Sequence, residues 1–149
     1  MADLNLTQAE AGALMVLEKH KVNDERYSFP LGGDKIIVPL QSPDKREHFL
    51  LDVGRGGINL MKTKMQTRGR QVVILVRLEL NGPPHRNPDD LDIPCPHLHL
   101  YREGFGDKWA FPLPEHIFKR SATDLSGMLE DFMQYCNITQ PPQIDKVLL

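Results

Sequence analysis

The sequence predicts an α+β domain: a curved, barrel-like antiparallel sheet of six to seven strands flanked by an N-terminal and a C-terminal helix. Three observations predict it. A helix-capping signature opens the chain, an apolar stripe at helical spacing closes it, and the residues between alternate mostly with period two. At 149 residues, 40% apolar and 26% charged, the chain reads as one domain over 1–149 that buries roughly two thirds of its unfolded surface. That composition excludes a disordered tail, and two cysteines exclude a disulfide scaffold. No apolar run reaches the ~20 residues that span a bilayer. Met1–Leu6 lacks the features of a secretory signal. A soluble, cytoplasmic protein with no membrane partner is the expectation.

The elements follow in order. Thr7-Gln8-Ala9-Glu10 has the spacing of a capping box, and Ala13, Leu14 and Leu17 continue the helix to about Lys21. Arg26–Phe29 and Lys35–Leu40 read as strands joined by a turn over Pro30-Leu31-Gly32-Gly33-Asp34. Glu47–Val53 is a third strand, with Ile58–Arg70 and Gln71–Leu80 the fourth and fifth. Val72–Val76 is apolar on both faces, which predicts a central, fully covered strand. The stretch Asn81–Cys95 holds four prolines and three aspartates and reads as a long functional loop. Pro96–Arg102 and Trp109–Phe111 complete the strands around a Gly104–Asp107 turn. Leu125, Met128, Leu129, Phe132 and Cys136 form the stripe of the last helix, with Thr123 or Asp124 as N-cap and Asn137 near its stop.

The net charge of -2 conceals a segregation. Residues 1–54 sum to -3, residues 55–87 to +6, and residues 88–149 to -5. The central block carries a local field that attracts phosphate, whatever the total. Within it Lys62, Lys64, Arg68 and Arg70 fall at even positions of one strand, so period two puts them on one face as candidate nucleic-acid contacts. The alternative is a solvated sheet face balanced by the acidic flanks.

The stretch Pro96-His97-Leu98-His99-Leu100-Tyr101 sets His97, His99 and Tyr101 on one strand face and the leucines on the other. Imidazoles exchange protons near neutral pH, and a tyrosine hydroxyl donates to anions. The preceding loop brings His85, Arg86 and Asn87 toward the start of that strand. His85, Arg86, His97, His99, Tyr101, Arg102 and Lys108 are the candidate catalytic residues, while Asn87 also fits a rigid turn. The strand also matches the H-x-H-x3-E part of the first cupin motif through His97, His99 and Glu103, without that motif's glycine and without a second motif. A metal site on His97, His99 and either His85 or Glu103 is one alternative, although the expectation is that no metal or other cofactor is required. Cys136 reads as a packed thiol; Cys95, beside prolines, is a weak candidate nucleophile.

The texts G-P-P-H-R-N-P-D, P-H-L-H-L-Y-R-E-G and D-K-W-A-F-P-L, between about Arg70 and Pro112, resemble a family of small bacterial and prophage proteins of unknown function. The site chemistry is also similar to that of metal-independent endoribonuclease toxins, which implies an RNA substrate and an antitoxin-type protein partner. The leading expectation is therefore an RNA-directed protein, in catalytic form a metal-independent endoribonuclease. His97 or His99 would act as general base or acid, with Tyr101 or His85 as the other proton carrier. Arg86, Arg102 or Lys108 would stabilise the phosphorane, and Lys62, Lys64, Arg68 and Arg70 would hold the strand. The other expectations are a non-catalytic interaction or inhibitor protein of phage or defence type, and a metal enzyme on a cupin-like barrel.

Overall fold

The structure is a computed structural model that describes residues 5–147. The reading of Met1–Leu6 as lacking a signal falls mostly on residues 1–4, outside the described part. Among the described residues the chain forms α1 (Gln8–Val16), β1 (Lys19–Lys21), β2 (Arg26–Ser28), β3 (Lys35–Gln41), β4 (His48–Arg55), β5 (Thr63–Gly69) and β6 (Val73–Leu80). There follow β7 (His85–Arg86), β8 (Asp92–Ile93), β9 (His97–Leu100), β10 (Ala110–Pro112), α2 (Leu125–Tyr135), β11 (Ile138–Gln140) and β12 (Gln143–Asp145). The architecture is α+β, as predicted. Eight strands form the main sheet in the order β10-β9-β6-β5-β4-β3-β1-β11, with small pairs β12-β2 and β7-β8 apart from it. The sheet is curved but open, because its end strands β10 and β11 do not pair, so the barrel expectation is corrected.

The meander β3–β6 supplies the frame, with seven paired positions between each neighbouring pair of strands. Val38, Leu40, Leu51, Val53, Met65, Leu78 and Leu98 project to one face and are buried against Ala11 and Leu14 of α1 and Leu125, Met128, Leu129 and Phe132 of α2. Helices cover only this face, so alternation leaves the polar residues of the same strands on the other. The run Val72–Val76 is consequently not covered on both sides: Val72 is exposed and Ile74 faces a cleft on the polar face. The pairing of β5 with β6 shifts once, with Thr67 opposite Val76 and Arg68 opposite Ile74, so Leu75 is an extra residue that bulges into the core.

Local signals end where non-local pairing begins. The Thr7–Glu10 capping box forms reciprocally, at 3.1 and 3.0 Å, and Asp124 caps α2 through Gly127 N–H at 3.0 Å. However, α1 stops at Val16 rather than near Lys21, because Lys19–Lys21 pairs with β3 and β11. Likewise Arg26–Ser28 does not form a hairpin with β3; it pairs in parallel with β12. The stretch predicted as a strand from Ile58 begins only at Thr63. The long loop Asn81–Cys95 contains the β7–β8 hairpin.

Lys19 joins the two helices. Its side chain is 1% exposed, and its ammonium donates to Met15 O at 3.1 Å and Leu17 O at 2.8 Å, in the last turn and at the C-cap of α1, and to Cys136 O at 2.9 Å at the C-cap of α2. Unpaired carbonyls at helix C-termini are favourable partners for a cation. Asn137, at φ 58°, reaches back from α2 to Val16 O at 2.9 Å. Burial pulls the Lys19 ammonium down from 10.5 to about 8. Between those pH values the unfolded chain binds more protons than the folded one, so this group's contribution to stability rises with pH. Lys19→Met orphans three carbonyls and is expected to cost ~3 kcal/mol. Urea unfolding should show the gap between wild type and variant widening from pH 7.5 to 9.5.

Candidate functional site

The sheet register builds the polar face in rows. Lys35 lies beside Gly54, Gly54 beside Lys64, Lys64 beside Glu79, and Glu79 beside His97. In the next row Asp52, Gln66, Arg77 and His99 are neighbours. Because Gly54 has no side chain, Lys35 and Lys64 stand on either side of a notch about two strand spacings, roughly 10 Å, across. The notch belongs to a cleft of ≈ 680 Å³ whose lining includes Lys35, Arg55, Lys62, Lys64, Arg68 and Arg77, against the carboxylates Asp34, Asp52 and Glu79.

These cations are not equivalent. Arg68 is held by Asp52 through Nε at 2.6 Å and Nη2 at 2.8 Å, and Gln66 donates to the same carboxylate at 2.8 Å. Arg77 donates to Glu79 at 2.9 Å and is also bonded to Asp107. Arg55 is oriented by Leu60 O at 2.6 Å. Lys35, Lys62 and Lys64 are exposed and, like Arg55, make no ion pair among the described residues. Three of the four predicted contacts, Lys62, Lys64 and Arg68, thus line the cleft. Arg70 does not. It sits at φ 52° in the β5–β6 turn and pairs with Glu47 at 3.3 Å.

At one end of the cleft β9 brings its histidines against Glu79. His97 Nδ1 lies 3.2 Å from Pro94 O and His99 Nδ1 lies 2.8 Å from Asp107 O. A carbonyl only accepts, so each Nδ1 carries a proton and each ring turns its Nε2 inward toward Glu79. His97 Nε2 is 3.5 Å from Glu79 Oε2 and His99 Nε2 is 3.3 Å from Glu79 Oε1. Neither contact has hydrogen-bond geometry, and both Nε2 atoms are buried with no hydrogen-bond partner. The neighbouring His99, with Arg77 and His97, holds the Glu79 carboxyl down at about 2, and burial lowers His97. These are the three side chains whose ligating atoms could hold a metal ion.

The loop before β9 seals this cluster. His85 Nε2 donates to Lys108 O at 2.7 Å, which sets the His85 ring edge-on to His99 with centroids 4.5 Å apart. Asn87 clamps the loop to β10, donating to Ala110 O at 2.9 Å and accepting from Ala110 N–H at 2.8 Å. Cys95 is spent locally, accepting from Gly82 N–H at 3.3 Å and donating to Glu79 O at 3.2 Å. Burial pushes the Cys136 thiol up to about 12. Under the loop His97 is 0% and His99 1% exposed.

The predicted cluster therefore assembles only in part. His85, His97 and His99 converge, but Tyr101 does not join them. Pairing of β9 ends at Leu100, and the Tyr101 hydroxyl turns into the core to donate to Leu6 O at 2.8 Å and accept from Leu6 N–H at 2.7 Å. Glu103, the carboxylate of the cupin-like reading, instead accepts from Gln8 N–H at 2.7 Å. Arg86 pairs with Asp92 at 3.1 Å. Arg102 lies over Trp109, 4.4 Å from its ring centroid, and the Lys108 side chain is exposed while only its carbonyl serves the cluster. Sequence reasoning missed Lys35, Arg55, Arg77 and Glu79. Glu79 had one signal: it is the only acidic residue in 55–87 and stands two residues from Arg77 on a strand. Diethylpyrocarbonate should modify exposed His48 and His116 while sparing His97 and His99. In Asn87→Ala, which loses both clamp bonds at ~1–3 kcal/mol, mass spectrometry should find both buried histidines modified faster.

The comparisons with known proteins bear on family and not on activity. No curated protein and no solved structure matches the chain. A family sequence model matches residues 6–138, nearly the whole described chain. The resemblance carried by residues 82–113 is thereby extended to both helices and the meander, while the likeness to endoribonuclease toxins gains no support. The chain belongs to the family of unknown function DUF6978.

Proposed function

We propose that this protein binds single-stranded RNA along the polar face of β3–β6, gripping the phosphodiester backbone and leaving it intact. The observation that carries the reading is the Gly54 notch, flanked by Lys35 and Lys64 with Arg55 and Lys62 beside it, four cations with no carboxylate partner among the described residues. Counterion release makes such unpaired cations the main source of affinity for a phosphate chain. Of the carboxylates in the same cleft, Asp52 and Glu79 are held by Arg68 and Arg77, while Asp34 repels phosphate but accepts from hydroxyls. A ligand that alternates phosphates with sugar 2′-hydroxyls suits both sets of groups, and this favours RNA over DNA. Among the described residues no aromatic side chain lines the cleft, so base stacking contributes little and recognition is of the backbone.

Cleavage is not part of the reading. General acid–base catalysis needs a group within hydrogen-bond reach of the substrate proton, and His97 and His99 are buried beneath the Asn81–Cys95 loop while Tyr101 is bonded to Leu6. A labelled 12-mer RNA followed by fluorescence anisotropy tests the proposal. Four phosphate contacts give a slope of log affinity against log salt of about -3. Lys35→Glu and Lys64→Glu should each weaken binding roughly tenfold, and Gly54→Leu should weaken it by filling the notch. The RNA should be recovered intact in EDTA. Salt-independent binding, equal affinity for the deoxy 12-mer, or charge reversals without effect would overturn the reading.

A further inference from the structure

We infer that Glu79, His97 and His99 form a binding site for one divalent transition-metal ion of the zinc class, with the ion's remaining coordination position turned toward the basic cleft. The inference does not rest on RNA binding, since its observations are the geometry of three side chains.

The first observation is the orientation of the rings. Each imidazole is fixed through Nδ1–H to a backbone carbonyl, Pro94 O for His97 and Asp107 O for His99. This outer-shell arrangement orients histidines that ligate metals through Nε2 and sets their tautomer. Here the consequence is otherwise unfavourable. Two imidazole Nε2 atoms and an ionised carboxylate face one another, and both Nε2 atoms are buried without a hydrogen-bond partner. In the neutral tautomer with its hydrogen on Nδ1, each Nε2 is an acceptor, and one cation at the centre of the three groups would satisfy them together.

The second observation is the spacing. The three ligating atoms lie within 4.8 Å of one another, and the carboxylate oxygens stand 3.3 and 3.5 Å from the imidazole nitrogens. Zinc bonds of about 2.0–2.2 Å to nitrogen and oxygen, arranged tetrahedrally, place neighbouring donors roughly 3.3–3.6 Å apart. Each imidazole nitrogen already has a carboxylate oxygen at the separation such an ion would impose, Oε1 for His99 and Oε2 for His97. Two imidazoles and one carboxylate suit zinc and its neighbours in the first transition row better than magnesium or calcium, which prefer all-oxygen sites.

The third observation is access. The histidines are sealed, but Glu79 is 24% exposed and lines the cleft together with Lys62 and Lys64. Three protein ligands leave a fourth tetrahedral position for water or an anion, and the cleft is the side from which it can arrive. Arg77 donates at 2.9 Å to Glu79 Oε1, the oxygen that faces His99, and holds the carboxylate in place. His85 has its Nε2 committed to Lys108 O and packs against His99 rather than joining the ligand set.

Tag-free protein, stripped by EDTA and dialysed, should bind one equivalent of zinc in a calorimetric titration and melt at a higher temperature as zinc is added. Cobalt should bind with the same stoichiometry and give the visible absorption of a tetrahedral ion. Because His97 and His99 are buried and their variants can fail to fold, the first variant is Glu79→Gln, which keeps shape and removes one charged ligand. Glu79→Gln should weaken zinc at least tenfold while its circular dichroism is unchanged, and Glu103→Ala should bind zinc like wild type. Less than a tenth of an equivalent bound to folded wild-type protein would overturn the inference. So would a folded Glu79→Gln variant with wild-type zinc affinity.

Discussion

The alternation of side chains across one antiparallel register governs the molecule. Helices α1 and α2 pack on a single face of the sheet, so every residue that β3–β6 and β9 send to that face must be apolar or satisfied there. Every alternate residue is thereby released to the other face. A one-residue slip of β9 against β6 would carry His97 and His99 into the hydrophobic core and Leu98 into the polar layer. The burial of Leu78 and Leu98 therefore specifies that Glu79 meets His97 and that Arg77 lies opposite His99. The site is a by-product of core packing in its placement, though not in its chemistry.

The two helices are tied at one point, and the site depends on it indirectly. The Lys19 ammonium and the Asn137 amide gather carbonyls from the C-terminal ends of α1 and α2. This clasp fixes the layer that buries the apolar side of β4, β5 and β6. At the other end of α1, the Tyr101 hydroxyl and the Glu103 carboxylate bind Leu6 and Gln8. Residues that read as chemistry in the sequence thus serve to anchor the first helix to the end of the histidine strand.

What the sequence disclosed follows the range of the interactions involved. Both helices were legible because caps and apolar stripes are local, and β3, β4, β6, β9 and β10 were legible from alternation. The partner of β2 was not, since β12 lies more than a hundred residues away and nothing near Arg26 encodes it. The His97–His99 pair stood out as an expensive use of a strand face, and it does lie at a cluster. Its burial was invisible, because it depends on the Asn87 clamp to Ala110. Tyr101 was misplaced by continuing period two one residue past the last strand pairing, at Leu100. The +6 block proved to be a cleft, but the lysine that completes its notch, Lys35, comes from an acidic-leaning segment and only register brings it in.

The central claim is that the polar face of β3–β6 is a ligand surface rather than a solvated back of the sheet. Chemical-shift mapping of isotopically labelled protein titrated with a single-stranded RNA 12-mer tests it most directly. The account predicts that the largest backbone shifts cluster on Lys35, Gly54, Arg55, Lys62 and Lys64, with α1 and α2 unmoved. Shifts confined to the helices or to the Gly104–Asp107 turn, or none at millimolar RNA, would contradict it.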